Sequence, residues 1–314
     1  MKRLLLTQPF PDATIDAARA RFDVTTRDAG PLSVQDAAAA LQDFDAIMCT
    51  LGDGFSDMAF ATPDLRCRML ANFGVGYNHI DVRAAKVAGV TVSNTPGAVT
   101  DSTADIALTL MLMAARRAGE GERLVRSGEW TGWTPTQLLG MHLTGKRLGI
   151  VGMGRIGQAI ARRAHFGFDM KVIYFNRSEK EVDFPARQVP DLGALMNQSD
   201  VVVVAVPGGG DNVQLIDADA LAQLNDGAVF VNIARGDVVD EASLIAALKS
   251  GRITAGLDVY ENEPQVPQEL LDLENAVLLP HLGTAALEVR EAMGQMAVDN
   301  LMAWDDGHRP PNAL

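Results

Sequence analysis

Residues 147–178 read RLGIVGMGRIGQAIARRAHFGFDMKVIYFNRS, and this stretch decides the fold. Its apolar start predicts a buried strand, and a glycine-rich turn leads from that strand into a helix from Arg155 to about Phe166. A second apolar run, MKVIYFN at 170–176, predicts the next strand. A strand, a crossover helix and another strand in this order are typical of a parallel sheet covered by helices.

The glycines of this turn stand at 152, 154 and 157, which is the spacing G-x-G-x-x-G. Gly152 permits a tight turn, Gly154 lets a pyrophosphate approach the backbone, and Gly157 lets the helix pack closely on the strand. The phosphates then bind unpaired N–H groups at the positive end of the helix. The bare pattern also occurs in ordinary glycine turns, but its place between a strand and a helix favours a dinucleotide site.

The end of the second strand, about 20 residues beyond the glycines, is where such sites bind the adenosine ribose. The residues there are Asn176, Arg177 and Ser178, and none is a carboxylate. Arg177 offers a planar cation suited to a 2'-phosphate, and Ser178 adds a hydroxyl donor. We therefore predict that NADP(H) is preferred and that NAD(H) remains possible. The alternative is that Arg177 is solvated or is captured by Glu179 or Glu181.

The same alternation of strands and helices extends in both directions from this stretch. Before residue 100, the pattern predicts helices at Asp12–Arg21, Val34–Leu41 and Asp81–Ala88 between strands at 4–9, 23–27, 45–50, 66–74 and 90–95. After residue 178, it predicts helices at Leu192–Asn197, Glu241–Lys249 and Ala285–Asp305 and strands at 201–207, 228–234, 253–259 and 276–280. Pro96 and Gly97 interrupt the pattern before a long helix near Asp101, so we place a domain boundary there.

Length and composition limit the class of protein. A chain of 314 residues with 47% hydrophobic content fills more than one core, so two domains are expected. The net charge of -13 disfavours nucleic acid and anionic membrane surfaces as partners, since both attract basic faces. Cys49 and Cys67 show no CxxC spacing and no nearby run of histidines, so we predict neither a disulfide framework nor a metal site.

Nothing in the sequence predicts export or membrane insertion. Gln8, Pro9 and Asp12 interrupt the short apolar run at the N-terminus before a signal-peptide core is complete. The most apolar helical stretch, Ala104–Ala115, is shorter than the roughly 20 residues that cross a bilayer. We therefore predict a cytoplasmic protein.

Three candidate catalytic residues stand near the ends of predicted strands. Arg235 follows NIA, Glu263 lies in DVYENEP, and His281 follows LLP. Ligands of α/β sheets bind beyond the carboxyl ends of the strands. A guanidinium can hold a carboxylate at two points, and a carboxylate beside an imidazole favours the imidazolium form, which can donate a proton. Taken singly, each residue also fits an ordinary role as a surface arginine, a solvated glutamate or a satisfied histidine.

Several segments together resemble the D-isomer-specific 2-hydroxyacid dehydrogenase family. They are GMGRIG, NIARG, DVYENEP and PHLG, in this order, with ANFGVGYNHID in the first half of the chain. The resemblance covers nearly the whole sequence. Within the family, WTPTQLLG and NRS are most similar to the glyoxylate and hydroxypyruvate reductases.

The resemblance implies an α/β fold of two Rossmann-like domains, each a doubly wound parallel sheet. It implies a discontinuous, flavodoxin-like substrate domain formed by residues 1–98 and 286–314 and a dinucleotide-binding domain at 99–285. It further implies an oxidoreductase that reduces a small 2-keto acid, glyoxylate or hydroxypyruvate first of all, by hydride transfer from NADPH or NADH.

The resemblance also assigns roles to single residues. The catalytic residues of the family fall on Arg235, Glu263 and His281. The substrate is expected to contact Leu51, Arg235, His281 and the backbone N–H groups of Val75 and Gly76. The cofactor is expected to contact Thr103, Gly152, Gly154, Arg155, Ile156, Gly157, Asn176, Arg177, Ser178, Pro207, Ala234, Asp258 and Gly283. Many members carry P-L-T-P-x-T where this chain has PGGGDN at Pro207–Asn212, so the contacts of that loop stay open.

Two alternatives to this function remain open at this point. Within the family, enzymes acting on phosphoglycerate, formate or bulkier keto acids are the closer alternatives. A nicotinamide-sensing regulatory protein of the same general fold is the alternative from another class. The presence of all three catalytic residue types and the acidic composition of the chain disfavour the regulator.

Two of the three tryptophans, Trp130 and Trp133, lie close together in GEWTGWTPTQLL at 128–139. Large aromatic side chains in a segment after a long helix indicate an arm that packs on an apolar surface. Together with the resemblance, this segment predicts a homodimer. The alternative is that both tryptophans fill the core of their own subunit.

Overall fold

The computed structural model describes residues 1–314 and divides into two compact units. Unit 1 comprises Met1–Val99 and Thr284–Leu314, and unit 2 comprises Thr100–Gly283. Each unit contains one sheet, and every strand pair in both sheets is parallel. The prediction of an α/β fold with two doubly wound parallel sheets is therefore confirmed.

Unit 1 is a five-stranded sheet with helices on both faces. The strand order is β2-β1-β3-β4-β5. In chain order its elements are β1 (Arg3–Leu6), α1 (Asp12–Arg19), β2 (Asp23–Thr26), α2 (Val34–Asp43), β3 (Ala46–Cys49), α3 (Asp57–Phe60), β4 (Met69–Asn72), α4 (Val82–Val87) and β5 (Thr91–Ser93). The C-terminal helix, Leu287–Asp305, belongs to the same unit and packs against α1 and β4.

Unit 2 is a seven-stranded sheet. The strand order is β12-β11-β10-β9-β6-β7-β8. Its helices are α5 (Thr100–Ala115), α6 (Ala118–Ser127), α7 (Arg155–Phe168), α8 (Leu192–Met196), α9 (Ala218–Ala222), α10 (Glu241–Lys249) and α11 (Gln268–Leu271). Its strands are β6 (Arg147–Val151), β7 (Lys171–Phe175), β8 (Ala186–Gln188), β9 (Val201–Val204), β10 (Val229–Asn232), β11 (Thr254–Leu257) and β12 (Ala276–Leu278). The C-terminal helix of unit 1 is accordingly α12.

The central strands of unit 2 are buried on both faces, as continuous valine and isoleucine runs predict. In β9, Val202 and Val204 belong to the apolar core on one face of the sheet, and Val201 and Val203 belong to the core on the other face. All four side chains are fully buried. This alternation follows from the two-residue period of a strand, which sends successive side chains to opposite faces.

The predicted element ends differ from the observed ones by a few residues, and the capping residues explain two of the differences. Asp81 is not the first residue of α4 but its N-cap, where its carboxylate accepts the N–H of Ala84. The last helix begins at Leu287 rather than Ala285, because Ala286 has an extended backbone. Strand β8 and helix α6 were not predicted, since neither Ala186–Gln188 nor Ala118–Ser127 has an apolar run.

Several strands of unit 2 end at the same edge of the sheet, and this edge positions the candidate site. Val151, Val204, Asn232, Leu257 and Leu278 are register partners across β6, β9, β10, β11 and β12. The loops that leave these strands therefore emerge side by side. No helix of the structure is long and apolar enough to span a bilayer, and no group of three or more His, Cys, Asp or Glu side chains is arranged to hold a metal ion.

Candidate active site

The side chains of His281 and Glu263 are paired beyond the carboxyl ends of β11 and β12. The Nδ1 atom of His281 lies 2.9 Å from Oε2 of Glu263. The second carboxylate oxygen, Oε1, accepts the N–H of Tyr260 at 2.9 Å. Both oxygens of Glu263 are therefore engaged, and the Nε2 atom of His281 is left as the nitrogen that can face a ligand. The two side chains retain 30% and 27% exposure, so a solute can reach them.

His281 has a left-handed backbone, with a φ angle of 54°. A residue other than glycine in this region is strained, and such strain persists where the surrounding structure holds it in place. The next two N–H groups, of Leu282 and Gly283, donate to the carboxylate of Asp258 at 2.6 and 2.8 Å. The turn after β12 is thus fixed to the end of β11, and this turn sets the direction of the imidazole.

The electrostatics of Glu263 favour its ionised form. Burial opposes ionisation, but the hydrogen bond to His281 and the positive charges of His281 and Arg235 outweigh it, so the pKa of Glu263 lies below its usual range. Asp258 behaves in the opposite way, because its burial outweighs the N–H groups of Leu282 and Gly283 and raises its pKa. Of these two carboxyl groups, Glu263 has the lower pKa relative to its usual range and is therefore the one that is ionised beside the imidazole.

Arg235 follows β10 and lies within the electrostatic reach of Glu263. Burial of the guanidinium lowers the pKa of Arg235, and the charges of Glu263 and Asp237 partly offset that effect. Its Nη1 atom donates to the carbonyl of Ala234 at 2.7 Å, and its Nε atom is buried without a hydrogen-bond partner. The structure thus brings the three predicted catalytic residues to one edge of the sheet.

The glycine turn between β6 and α7 has the features of a phosphate cradle. Gly152 has a φ angle of 99°, a conformation that favours glycine. A β-carbon at Gly157 would lie 2.1 Å from the carbonyl oxygen of Gly152, whereas one at Gly154 would meet nothing within 4 Å. Gly154 is the N-cap of α7, and the N–H groups of Arg155 and Ile156 have no acceptor within the helix. The turn therefore combines close packing, open space and free donors.

The three residues predicted to bind the adenosine ribose form a turn after β7. Asn176 links this turn to the glycine loop, because its Oδ1 accepts the N–H of Met153 at 3.2 Å and its Nδ2 donates to the carbonyl of Ser178 at 2.7 Å. Arg177 and Ser178 are exposed. The ion pairs of the structure include none between Arg177 and Glu179 or Glu181, so its guanidinium is available.

The remaining predicted cofactor contacts lie at the same edge of unit 2. Thr103, in the first turn of α5, donates through its hydroxyl to the carbonyl of Gly283 at 3.2 Å. Ala234 is buried beside Arg235, and its N–H donates to Oδ1 of Asn232. Pro207 follows β9 and is exposed.

In unit 1, the loop at 73–76 after β4 presents the two N–H groups predicted to bind a carboxylate. Its carbonyls are held by two buried amide side chains that the sequence analysis did not identify. Asn72 donates to the carbonyls of Gly74 and Gly76 at 3.0 and 2.9 Å, and Asn94 donates to that of Val75 at 3.0 Å. The N–H groups of Val75 and Gly76 have no protein acceptor. Asn72 and Asn94 each lie at or directly after the end of a strand, and this position is the signal in the sequence by which they could have been found.

Three further residues singled out from the sequence are solvent-accessible. Leu51, predicted to line the substrate pocket, lies just after β3 with 41% of its surface exposed. Trp130 and Trp133 are 51% and 78% exposed, so the alternative that they fill the core of their own subunit is wrong. Leu139, at the end of the same segment, is also largely exposed.

The chain is similar to known proteins over nearly its whole length. Residues 108–283 match the family model described as D-isomer specific 2-hydroxyacid dehydrogenase, NAD binding domain. A glyoxylate reductase from Pyrococcus furiosus is 40% identical over 321 aligned residues, which cover 99% of this chain and 95% of that protein. A putative D-isomer specific 2-hydroxyacid dehydrogenase from a Polaromonas species has a TM-score of 0.93 at 37% identity, with coverage of 100% and 99%.

A third relative is a solved complex. It is an NADPH-dependent glyoxylate/hydroxypyruvate reductase from Sinorhizobium meliloti, determined with NADP and malonate. Its TM-score is 0.88 at 34% identity, and the match covers 100% of this chain and 96% of that one.

Proposed function

The chain belongs to the D-isomer-specific 2-hydroxyacid dehydrogenase family, and from this premise we propose that it reduces glyoxylate or hydroxypyruvate to the 2-hydroxy acid with NADPH as the preferred donor. It is an oxidoreductase with a nicotinamide dinucleotide as cofactor. The observation that carries the proposal is the His281–Glu263 pair beside Arg235, at the sheet edge that also bears the glycine turn.

The glycine turn fits a dinucleotide. The packing of Gly157 on Gly152 brings the start of α7 close to β6, and the open space at Gly154 admits a pyrophosphate to the free N–H groups of the helix. The turn at Asn176–Ser178 then receives the adenosine ribose. We assign the carboxylate of Asp258 and the hydroxyl of Thr103, both near Gly283, to the nicotinamide end of the cofactor.

The mechanism uses the three catalytic residues in separate roles. Arg235 binds the carboxylate of the keto acid and orients its carbonyl group. The bound nicotinamide supplies the hydride. Protonated His281 donates a proton from Nε2 to the carbonyl oxygen, where negative charge develops, and Glu263 holds the imidazole in position through Nδ1. The charges of Arg235 and His281 both stabilise that developing oxyanion.

The preference for NADPH rests on the turn after β7. Arg177 is exposed, unpaired with the neighbouring glutamates and beside the Ser178 hydroxyl, and no carboxylate is present to bind a 2'-hydroxyl. A 2'-phosphate carries negative charge that a guanidinium binds at two points. The Sinorhizobium relative, which is NADPH-dependent by name, supports the same choice.

Two further parts of the proposal concern organisation. We assign unit 2 to dinucleotide binding and unit 1 to substrate binding, where the free N–H groups of Val75 and Gly76 hold a carboxylate and Leu51 contributes an apolar wall. We also propose that the protein is a cytoplasmic homodimer. The exposed Trp130 and Trp133 support the dimer, because large exposed aromatic side chains are typical of interfaces.

A spectrophotometric panel tests the proposed activity. Purified protein is mixed with NADPH or NADH and with glyoxylate, hydroxypyruvate, pyruvate or phenylpyruvate, and oxidation of the cofactor is followed by absorbance. We expect the highest kcat/KM with NADPH and one of the first two acids. A maximum with phenylpyruvate or with a phosphorylated acid would assign another specificity within the family. No oxidation with any acid would support a nicotinamide-sensing regulator instead.

A further inference from the structure

The loop at Pro207–Asn212 departs from the pattern of the family, and in the structure it packs against Arg235. A β-carbon at Gly208 would lie 2.7 Å from Cγ and 2.8 Å from Cβ of Arg235. It would also lie 2.8 Å from Oδ1 of Asp237. These distances are shorter than real β-carbon contacts, so any side chain at position 208 would displace the catalytic arginine or its neighbour.

Asp237 fastens this loop to the strand end that carries Arg235. Its Oδ2 accepts the N–H of Gly209 at 2.8 Å, and its backbone carbonyl accepts the N–H of Gln214 at 2.7 Å. One step further on, Ile216 donates to the carbonyl of Val238. The loop and the 3-10 turn after Arg235 therefore form one hydrogen-bonded assembly.

Two polar atoms in this assembly are buried and unpaired. They are Oδ1 of Asp237, an acceptor, and Nε of Arg235, a donor. The Oδ1 atom of Asp237 and the Cβ and Cγ atoms of Arg235 all border the position that a β-carbon at Gly208 would occupy, so the two side chains are close neighbours. An unpaired buried polar group is costly, and an ionised one is more so. A carboxylate oxygen and a guanidinium N–H form a strong charge-assisted hydrogen bond, so a rotation of the arginine that joins them is favourable.

We propose that Asp237 is a positioning residue for Arg235 and that Gly208 permits this role, because a side chain at position 208 would occupy the place where the two side chains meet. With a substrate present, Nε of Arg235 donates to Oδ1 of Asp237, and Nη1 leaves the Ala234 carbonyl so that both Nη atoms face the carboxylate of the acid. The loop at 207–212 thus has glycines where many other members carry the side chains of P-L-T-P-x-T, and the acidic side chain next to Arg235 is that of Asp237. This inference rests on the proposed function, since Arg235 needs a carboxylate to bind.

A substitution can remove the charge of Asp237 and still keep the hydrogen bond that its side chain accepts from the N–H of Gly209. Asp237→Asn keeps an oxygen that accepts the N–H of Gly209, but it offers Arg235 no ionised partner. We expect KM for glyoxylate to rise about ten-fold, as the loss of one charge-assisted hydrogen bond implies, while KM for NADPH changes by less than about two-fold. Asp217→Asn is the matched control, because Asp217 also accepts a backbone N–H, that of Ala220, in unit 2.

A second pair of variants tests the space at Gly208. Gly208→Ala places a methyl group against Arg235, and we expect KM for glyoxylate to rise by at least about ten-fold. Gly210→Ala adds the same group to the same loop, where nothing lies within 4 Å. Gly210 has a φ angle of 54°, so its substitution strains the backbone more, and a smaller effect there isolates the contact with Arg235.

Binding of oxalate, measured by calorimetry on the full chain with NADPH, provides a readout that needs no turnover. We expect Asp237→Asn and Gly208→Ala each to raise the Kd about ten-fold. Three results would each overturn the inference. The first is an equal change in KM for NADPH and for glyoxylate in the variants, and the second is unchanged or tighter oxalate binding in Asp237→Asn. The third is failure of the unmodified chain to bind oxalate. If the unmodified chain binds oxalate but reduces no keto acid, the proposed function fails and the effect of the variants on Kd still decides the inference.

Discussion

The Nδ1 atom of His281 lies 2.9 Å from Oε2 of Glu263, although the two residues belong to loops that leave different strands. The contact fixes the direction of Nε2, which is the proton-donating atom of the proposed mechanism. A proton donor in place typically contributes 10²- to 10⁴-fold to a rate. The pair is therefore the feature on which the proposed chemistry depends most directly.

His281→Gln is expected to lower kcat by roughly 10²- to 10⁴-fold, because glutamine cannot donate a proton in the same way. The Kd of NADPH, measured by fluorescence titration, should stay nearly unchanged. His142→Gln is the control, since His142 is exposed and follows a different segment of unit 2. An equal loss of turnover and of NADPH affinity would show that His281 serves the cofactor rather than the proton transfer.

Glu263→Gln is expected to show a pH-dependent defect. The pKa of Glu263 is lowered, so its charge is present at neutral pH and is lost only as the pH falls through that lowered value. The ratio of kcat/KM between the unmodified chain and the variant should be largest at neutral and alkaline pH. It should shrink as the pH falls through that lowered value, where glutamic acid protonates and resembles glutamine. A ratio that stays constant as the pH falls from neutral through the lowered pKa of Glu263 would contradict the charge-based role of this residue.

The sequence predicted the fold because its signals were local. The run at 147–178 contains a strand, a glycine turn, a helix and a second strand, and the valines of β9 mark a strand buried on both faces. The positions of Arg235 and His281 at the candidate site could be predicted from the sequence for a related reason. Each directly follows an apolar strand, and parallel strands that share a register end at the same edge.

The residues that the sequence did not identify act through contacts between distant segments. Asn72 and Asn94 hold the carbonyls of one loop from two different strand ends, and no spacing rule predicts where an amide side chain will point. The fit of Gly208 against Arg235 depends on how two loops pack, which is decided by the tertiary structure. Strand β8 is short and polar, so it forms because β7 offers it an edge.

Asn72→Ala is expected to raise KM for the keto acid, because the loop that presents the N–H groups of Val75 and Gly76 loses two of its hydrogen bonds. It should also lower stability by about 1–3 kcal/mol, the cost of unpaired buried groups. Asn300→Ala is the matched control. Asn300 is a fully buried asparagine of the same unit, and it bonds Met296 and Asn312 instead. A similar rise in KM in both variants would mean that lost stability, not the loop, explains the effect.

Arg177→Asp is expected to shift the coenzyme preference from NADPH towards NADH. The substitution removes the cation for the 2'-phosphate and supplies a carboxylate for the 2'-hydroxyl, and a change of at least about ten-fold in the ratio of kcat/KM values is reasonable for one charged contact. Arg187→Asp makes the same change of charge at an exposed position in β8. An unchanged ratio in Arg177→Asp would refute the role of this arginine, whichever coenzyme the unmodified chain prefers.

The exposed tryptophans predict that the chain self-associates. Trp133 leaves 78% of its surface uncovered in the single chain, and burial of an aromatic side chain of this size at the centre of an interface typically contributes 2 kcal/mol or more. Sedimentation of the unmodified chain should give twice the chain mass of 33.5 kDa, and Trp133→Ala should weaken association by about 30-fold or more. Phe166→Ala is the control, because Phe166 is also an exposed aromatic residue of unit 2 but lies on α7, outside the arm. A monomer at every concentration of the unmodified chain would remove the dimer from the proposal, and equal weakening by both substitutions would place the interface elsewhere than on the arm.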